Sequence, residues 1–130
     1  MTKILIVEDH AFFSEALALV LGQRLSEILQ GEATFQRATT VEEGLRLVNE
    51  AGPFALAVVD LMLPDGNGTE VVRRLRARWP ETPVCVLSSV LDLSGALEAG
   101  ADEAVHKTTP LPEIVARLER LVSGEGRATA

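Results

Sequence analysis

A chain of 130 residues fits a single domain. At 47% hydrophobic and 24% charged, with 10 glycines and 6 prolines, it is not a disordered or low-complexity polypeptide. The formal charge of −7 argues against broad binding to DNA or anionic membranes. The lone cysteine, Cys85, excludes an internal disulfide framework and a multi-cysteine zinc site.

Five short apolar runs alternate with five segments of helical pattern. Ile4 to Val7 is apolar at every position, which suits a strand buried on both faces. A run of four is too short for a signal-peptide core or a membrane span, so the cytoplasm is the expected location. Next comes a helix over 10–29, with Leu17, Val20, Leu21 and Ile28 on its inner stripe and Gly31 ending it. Ala33 to Ala38 is a half-polar strand expected at a sheet edge. Thr40 caps a helix from Val41 to Glu50, and Glu43 completes a capping box.

Ala55 to Val59 is a second fully apolar strand, and it ends on Asp60. The turn-rich loop Pro64-Asp65-Gly66-Asn67-Gly68 leads into a helix from Thr69 to Trp79. Val72, Leu75 and Trp79 face inward there, and the arginines form a solvated face. Val84 to Leu87 is the next strand and stops at Ser88-Ser89. A short helix over about 93–99 ends at Gly100; a strand from Glu103 to His106 is followed by Lys107. The last helix, over 112–122, has the stripe Ile114, Leu118, Leu121 and Val122. We expect one domain over 1–123 and a small polar tail or linker stub over 124–130. Repeated strand–helix alternation implies right-handed crossovers and a parallel sheet with helices on both faces.

Polar residues interrupt the pattern where strands end: Glu8-Asp9, Asp60, Ser88 and Lys107. Open parallel sheets bind ligands at the carboxyl ends of their strands, where the strand order reverses. In the order 2-1-3-4-5 that crevice lies between the first and third strands, so the acidic pair faces Asp60. Three converging carboxylates repel one another, and a hard divalent cation such as Mg²⁺ answers that repulsion. Asp9 also serves as a cap for the first helix in this reading. Asp65 and the loop glycines shape the turn after Asp60 and the entry to the third helix. His10 is a first-turn residue beside the site and not a ligand, His106 is partly exposed, and Cys85 packs inertly.

These segments resemble the receiver domain of two-component response regulators, over residues 3–123. The resemblance rests on Ile4-Leu5-Ile6-Val7-Glu8-Asp9-His10, on Val58-Val59-Asp60 through Pro64-Asp65-Gly66-Asn67-Gly68, on Val86-Leu87-Ser88-Ser89, on Glu98-Ala99-Gly100-Ala101-Asp102 and on Lys107. The first and second of these look most like receivers of the helix-turn-helix (NarL/FixJ) type. The resemblance implies a flavodoxin-like fold and a switch rather than a conventional enzyme. Asp60 would accept a phosphoryl group from a sensor histidine kinase. Asp9, Asp60 and the Met62 backbone carbonyl would bind Mg²⁺, and Glu8 would reach the ion through water. Lys107 and the Ser88 hydroxyl would contact phosphoryl oxygens. Homodimerisation or docking of an output partner would use the face of the fourth helix, fifth strand and fifth helix, or that of the first and fifth helices. Direct nucleic-acid or membrane binding by this domain is not expected.

Two features depart from the family. Its members carry Tyr or Phe three residues before the lysine, where this chain has Ala104; there is no tyrosine at all. Ser88 and Lys107 are 19 positions apart, a few fewer than the family's spacing, so the fourth helix should lose about one turn. A phosphorylation-independent docking module is therefore the alternative function. An aspartyl-phosphate phosphatase is weaker still, because Met62 stands where such enzymes want a second Asp. Met62 and Val90 should shield an acyl phosphate from water and slow its decay.

Overall fold

The computed structural model describes residues 2–89 and 92–124. The chain order is β1 (Thr2–Val7), α1 (Ala11–Ile28), β2 (Ala33–Ala38), α2 (Val41–Ala51), β3 (Leu56–Val59), β4 (Met62–Leu63), β5 (Gly66–Asn67), α3 (Thr69–Arg78), β6 (Val84–Ser88), α4 (Ser94–Ala99), β7 (Glu103–His106) and α5 (Leu111–Ser123). Five strands form a parallel sheet in the order β2-β1-β3-β6-β7. Taken in chain order, those five strands run 2-1-3-4-5, compatible with the flavodoxin-like expectation. The numbering is offset by a two-residue hairpin, β4 with β5, which the sequence pattern did not reveal.

Side chains along a strand point alternately to opposite faces, and β1 divides its residues between two cores. Leu5 and Val7 join Ala57, Val59, Val84 and Val86 against α2, α3 and α4. Ile4 and Ile6 join Leu56, Val58, Cys85 and Leu87 against α1 and α5. Every one of these strand residues is at most 3% exposed. That two-sided burial is why the strands read as unbroken apolar runs and why polar groups appear only where a strand stops.

Several local expectations need correction. The buried stripe of α1 is Ser14, Leu17, Leu21 and Leu25, while Ile28 is 41% exposed. This helix is apolar around much of its circumference, so its packing against α5 chooses the stripe. In α5 the fourth buried residue is Val115 rather than Val122. Arg76 is not on a solvated face. It donates to the carbonyls of Gly100 (2.5 Å), Pro80 (3.0 Å) and Thr82 (2.7 Å) and pairs with Asp102, whose carboxylate also accepts the Val84 amide. One guanidinium thereby ties α3 to the starts of β6 and β7. Arg73, Arg74 and Arg78 remain exposed. Trp79 caps α3 and donates Nε1–H to the Val48 carbonyl (2.8 Å). Val90 and the tail residues 125–130 lie outside the described residues.

Candidate phosphoryl-acceptor site

The site is built where the strand order reverses, at the carboxyl ends of β1 and β3. Ladder bonds continue one residue past each strand: the Glu8 amide donates to the Ala38 carbonyl (2.9 Å), and the Asp60 amide to the Val7 carbonyl (2.9 Å). Glu8 and Asp60 are thus fixed side by side by backbone, each only 4% exposed. From the far side, the Lys107 amide donates to the Ser88 carbonyl (3.0 Å), placing both residues at adjacent strand ends. Ser88 is fully buried.

Lys107 crosses to the acids. Its Nζ donates to Glu8 Oε1 at 2.5 Å and to Asp60 Oδ2 at 3.0 Å. Asp60 Oδ1 accepts the Met62 amide at 3.1 Å. His10 Nδ1 lies 2.9 Å from Glu8 Oε1, 3.6 Å from Asp9 Oδ1 and 3.2 Å from Lys107 Nζ. Ligand atoms of Glu8, Asp9, His10 and Asp60 all fall within 4.8 Å of one another. The predicted residues Glu8, Asp9, Asp60 and Lys107 are therefore gathered at one place, and Ser88 borders it.

Burial raises the Glu8 carboxyl above its ordinary range. The Lys107 hydrogen bond opposes that rise, and the adjacent Asp60 adds to it. For Lys107, burial pulls the ammonium down, but the hydrogen bonds to Glu8 and Asp60 and their charge outweigh it, so the group is held above its usual value. Lys107 stays protonated through the neutral range, in contact with two carboxylates.

Three sequence readings change here. Asp9 does not cap α1: His10 is the N-cap residue, and no side chain bonds that helix end. His10 borders the acids, its ring nitrogen within 4.8 Å of their ligand atoms. Asp65 serves a different helix from the one expected. Its carboxylate accepts the amides of Val41 (2.7 Å) and Glu42 (3.1 Å) at the start of α2, which holds it below the usual carboxylate range. Thr40 accepts the Glu43 amide as expected, but Glu43 reaches back to Thr39, one residue short of a standard capping box. The ring of Phe13, 5.1 Å from Lys107 Nζ at its centroid, was missed altogether. No sequence pattern marks such a contact.

Residues 4–119 match the family described as the response regulator receiver domain. The transcriptional regulatory protein PrrA of Mycobacterium tuberculosis is 41% identical over 95% of this chain and 51% of its own length. KdpE of Escherichia coli, the KDP operon transcriptional regulatory protein, is 36% identical over all of this chain and 55% of its own. This chain therefore spans about half the length of the curated relatives it matches. In structure it is similar to DrrB, an OmpR/PhoB homologue of Thermotoga maritima. The beryllofluoride-activated DrrB receiver is 30% identical with a TM-score of 0.70, covering 95% of this chain and 98% of that one. The narrower NarL/FixJ expectation is not upheld, since PrrA and KdpE are of the OmpR/PhoB type. By fold, by the order of its strand-end residues and by these matches, the chain belongs to the response regulator receiver family.

Proposed function

We propose that this domain is a phosphorylation-driven switch in which Asp60 accepts a phosphoryl group from a sensor histidine kinase. The observation that carries the reading is Lys107 bridging Glu8 and Asp60 at the strand-order reversal, with Asp9 alongside. A carboxylate oxygen of Asp60 attacks phosphorus. The new O–P bond forms as the N–P bond of the kinase's phosphohistidine breaks, and the bonding pair leaves with the histidine nitrogen. Lys107 pairs with one phosphoryl oxygen, and the Ser88 hydroxyl donates to another. Glu8, Asp9 and Asp60, with the Met62 carbonyl, form an oxygen-rich donor set of the kind Mg²⁺ prefers. When bound, Mg²⁺ supplies neutralisation of charge on the phosphoryl oxygens. Met62 leaves its side chain 60% exposed beside Asp60, so the shielding of the acyl phosphate rests on an exposed thioether at the site mouth.

The domain occupies residues 1–123, with 124–130 as a tail or linker stub, and works in the cytoplasm as part of a transcriptional regulator. Among the described residues no helix is long and apolar enough to cross a membrane. Output passes through the α4–β7–α5 face or the α1–α5 face, to a second copy or an effector. The docking-only alternative is not favoured, because docking requires no assembled acidic site.

The test is a beryllofluoride titration in Mg²⁺, followed by backbone amide shifts. Trp79 is a poor reporter: its indole packs beside Gly52 and Val48, at the end of the sheet remote from Asp60. A saturable response that vanishes in Asp60→Asn is expected. Equal responses in both proteins would overturn the reading.

A further inference from the structure

Among the described residues, Lys107 has four neighbours at its ammonium, and three of them belong to the acidic cluster. Glu8 and Asp60 accept from it at 2.5 and 3.0 Å and His10 Nδ1 lies 3.2 Å away, all groups that also lie in the candidate cation cluster. The fourth is the face of the Phe13 ring, 5.1 Å away at its centroid. An aromatic face attracts an ammonium within about 6 Å through its quadrupole, and the attraction grows as the pair is desolvated. Lys107 is 14% exposed at its side chain. Phe13 is half-buried and packs onto the α1–α5 core, whereas its neighbour Phe12 is 91% exposed. Successive helix residues point about 100° apart, so only one of the two phenylalanines can turn inward.

A ring has no lone pair to offer a hard cation. Once Glu8 and Asp60 are engaged by a divalent ion, their charge is shared, and Phe13 is the neighbour of Lys107 that the ion does not compete for. The aromatic residue that the family carries three positions before the lysine is Ala104 here. Ala104 packs on the other core, with α2, α3 and α4, so the ring near Lys107 comes from α1 instead.

We propose that Phe13 is a positioning residue for Lys107: its ring face holds the ammonium at the site when the carboxylates are occupied. The inference rests on the phosphoacceptor reading above, and the experiment separates the two. In the wild-type protein the Lys107 Hε protons should show an upfield ring-current shift by NMR, and the shift should persist on adding Mg²⁺. Phe13→Leu should abolish it and weaken Mg²⁺-dependent beryllofluoride binding roughly three- to tenfold, a change on the scale of one cation–π contact. Affinity for Mg²⁺ alone should stay unchanged. Phe13→Tyr should keep the shift and bind beryllofluoride within twofold of wild type, a rescue that a purely structural role would not require of the ring.

Unshifted Hε protons in the wild type would overturn the proposal. So would a Phe13→Leu protein that binds beryllofluoride as tightly as wild type. If Phe13→Leu fails to fold, the wild-type shift and the Phe13→Tyr binding still decide. A normal shift with no Asp60-dependent response in the wild type would overturn the phosphoacceptor reading itself, and with it the functional role of Phe13.

Discussion

Gly68→Ala tests how tightly the site is held by the loop behind it. Gly68 has ordinary helical backbone angles (φ −63°, ψ −12°), so conformation does not require glycine there. Space does. A Cβ at this position would lie 2.0 Å from the Asp60 carbonyl oxygen and 3.0 Å from both its carbon and Val59 Cγ1. Comfortable separation is about 3.5 Å, so the two backbones must part by roughly 1.5 Å. Neither can move freely. The Gly68 amide donates to the Leu61 carbonyl (2.8 Å), and the Gly68 carbonyl accepts Val71 and Val72 at the start of α3. Overpacking costs about 1–3 kcal/mol, and contact against backbone on both sides places this case at the upper end. Loss of glycine's unfolded-state entropy returns about 0.4–1 kcal/mol. The net expectation is a loss of about 2–3 kcal/mol by urea denaturation, with beryllofluoride affinity reduced tenfold or more because the Asp60 peptide shifts. Gly95→Ala in α4 is the control: nothing lies within 4 Å of the methyl group it would add, and helix propensity makes that change neutral or stabilising by up to about 1 kcal/mol. A Gly68→Ala protein within about 0.5 kcal/mol of wild type, with unchanged beryllofluoride binding, would refute the reasoning.

Arg76→Met keeps the apolar stem and removes a half-buried guanidinium from three carbonyls and Asp102; a loss of about 2–4 kcal/mol in urea denaturation is expected. Burial pushes the Cys85 thiol up to about 12. The unfolded thiol ionises near 9 and the folded one does not, so stability is lost as pH rises between those values, by about 1.4 kcal/mol per pH unit from this group. Cys85→Val should flatten the denaturation midpoint over that range, and native Cys85 should resist thiol reagents at about pH 8. Ala104→Tyr should leave labelling of Asp60 by acetyl phosphate intact; a large loss of labelling would show that this face is coupled to the chemistry itself rather than to its read-out.

The sheet was legible because burial on both faces leaves a plain signature, an apolar run that stops at a polar residue. Ile4–Val7 ending at Glu8, and Val58-Val59 ending at Asp60, place the acids without any knowledge of the helices. The hairpin of β4 and β5 left no such mark, since two residues per strand have no period. Asp65 was misassigned for a related reason. Its partners at the start of α2 lie more than 20 positions earlier, and turn chemistry is read only locally. Arg76 sits among three exposed arginines in sequence, and only the approach of Gly100 and Asp102 from later in the chain distinguishes it. The α1 stripe failed because a helix apolar on several sides does not name its own inner face.

What the sequence could least supply is the present partnership of Lys107. Two carboxylates, each 4% exposed, share one ammonium, so the buried cluster keeps an excess of negative charge even before Asp9 is counted. Burying such charge is unfavourable unless it is paired, and burial is what pushes the Glu8 carboxyl above its ordinary range. Lys107 therefore already occupies the place where added positive charge is most stabilised. A phosphoryl oxygen at this site would compete with Glu8 and Asp60 for the three N–H donors of Lys107. Under the phosphoacceptor reading proposed above, a cation held by the acids would ease their grip on the ammonium and leave it available to an incoming anion. On that reading, the Glu8–Lys107–Asp60 contacts belong to the resting site, and easing them would be part of switching.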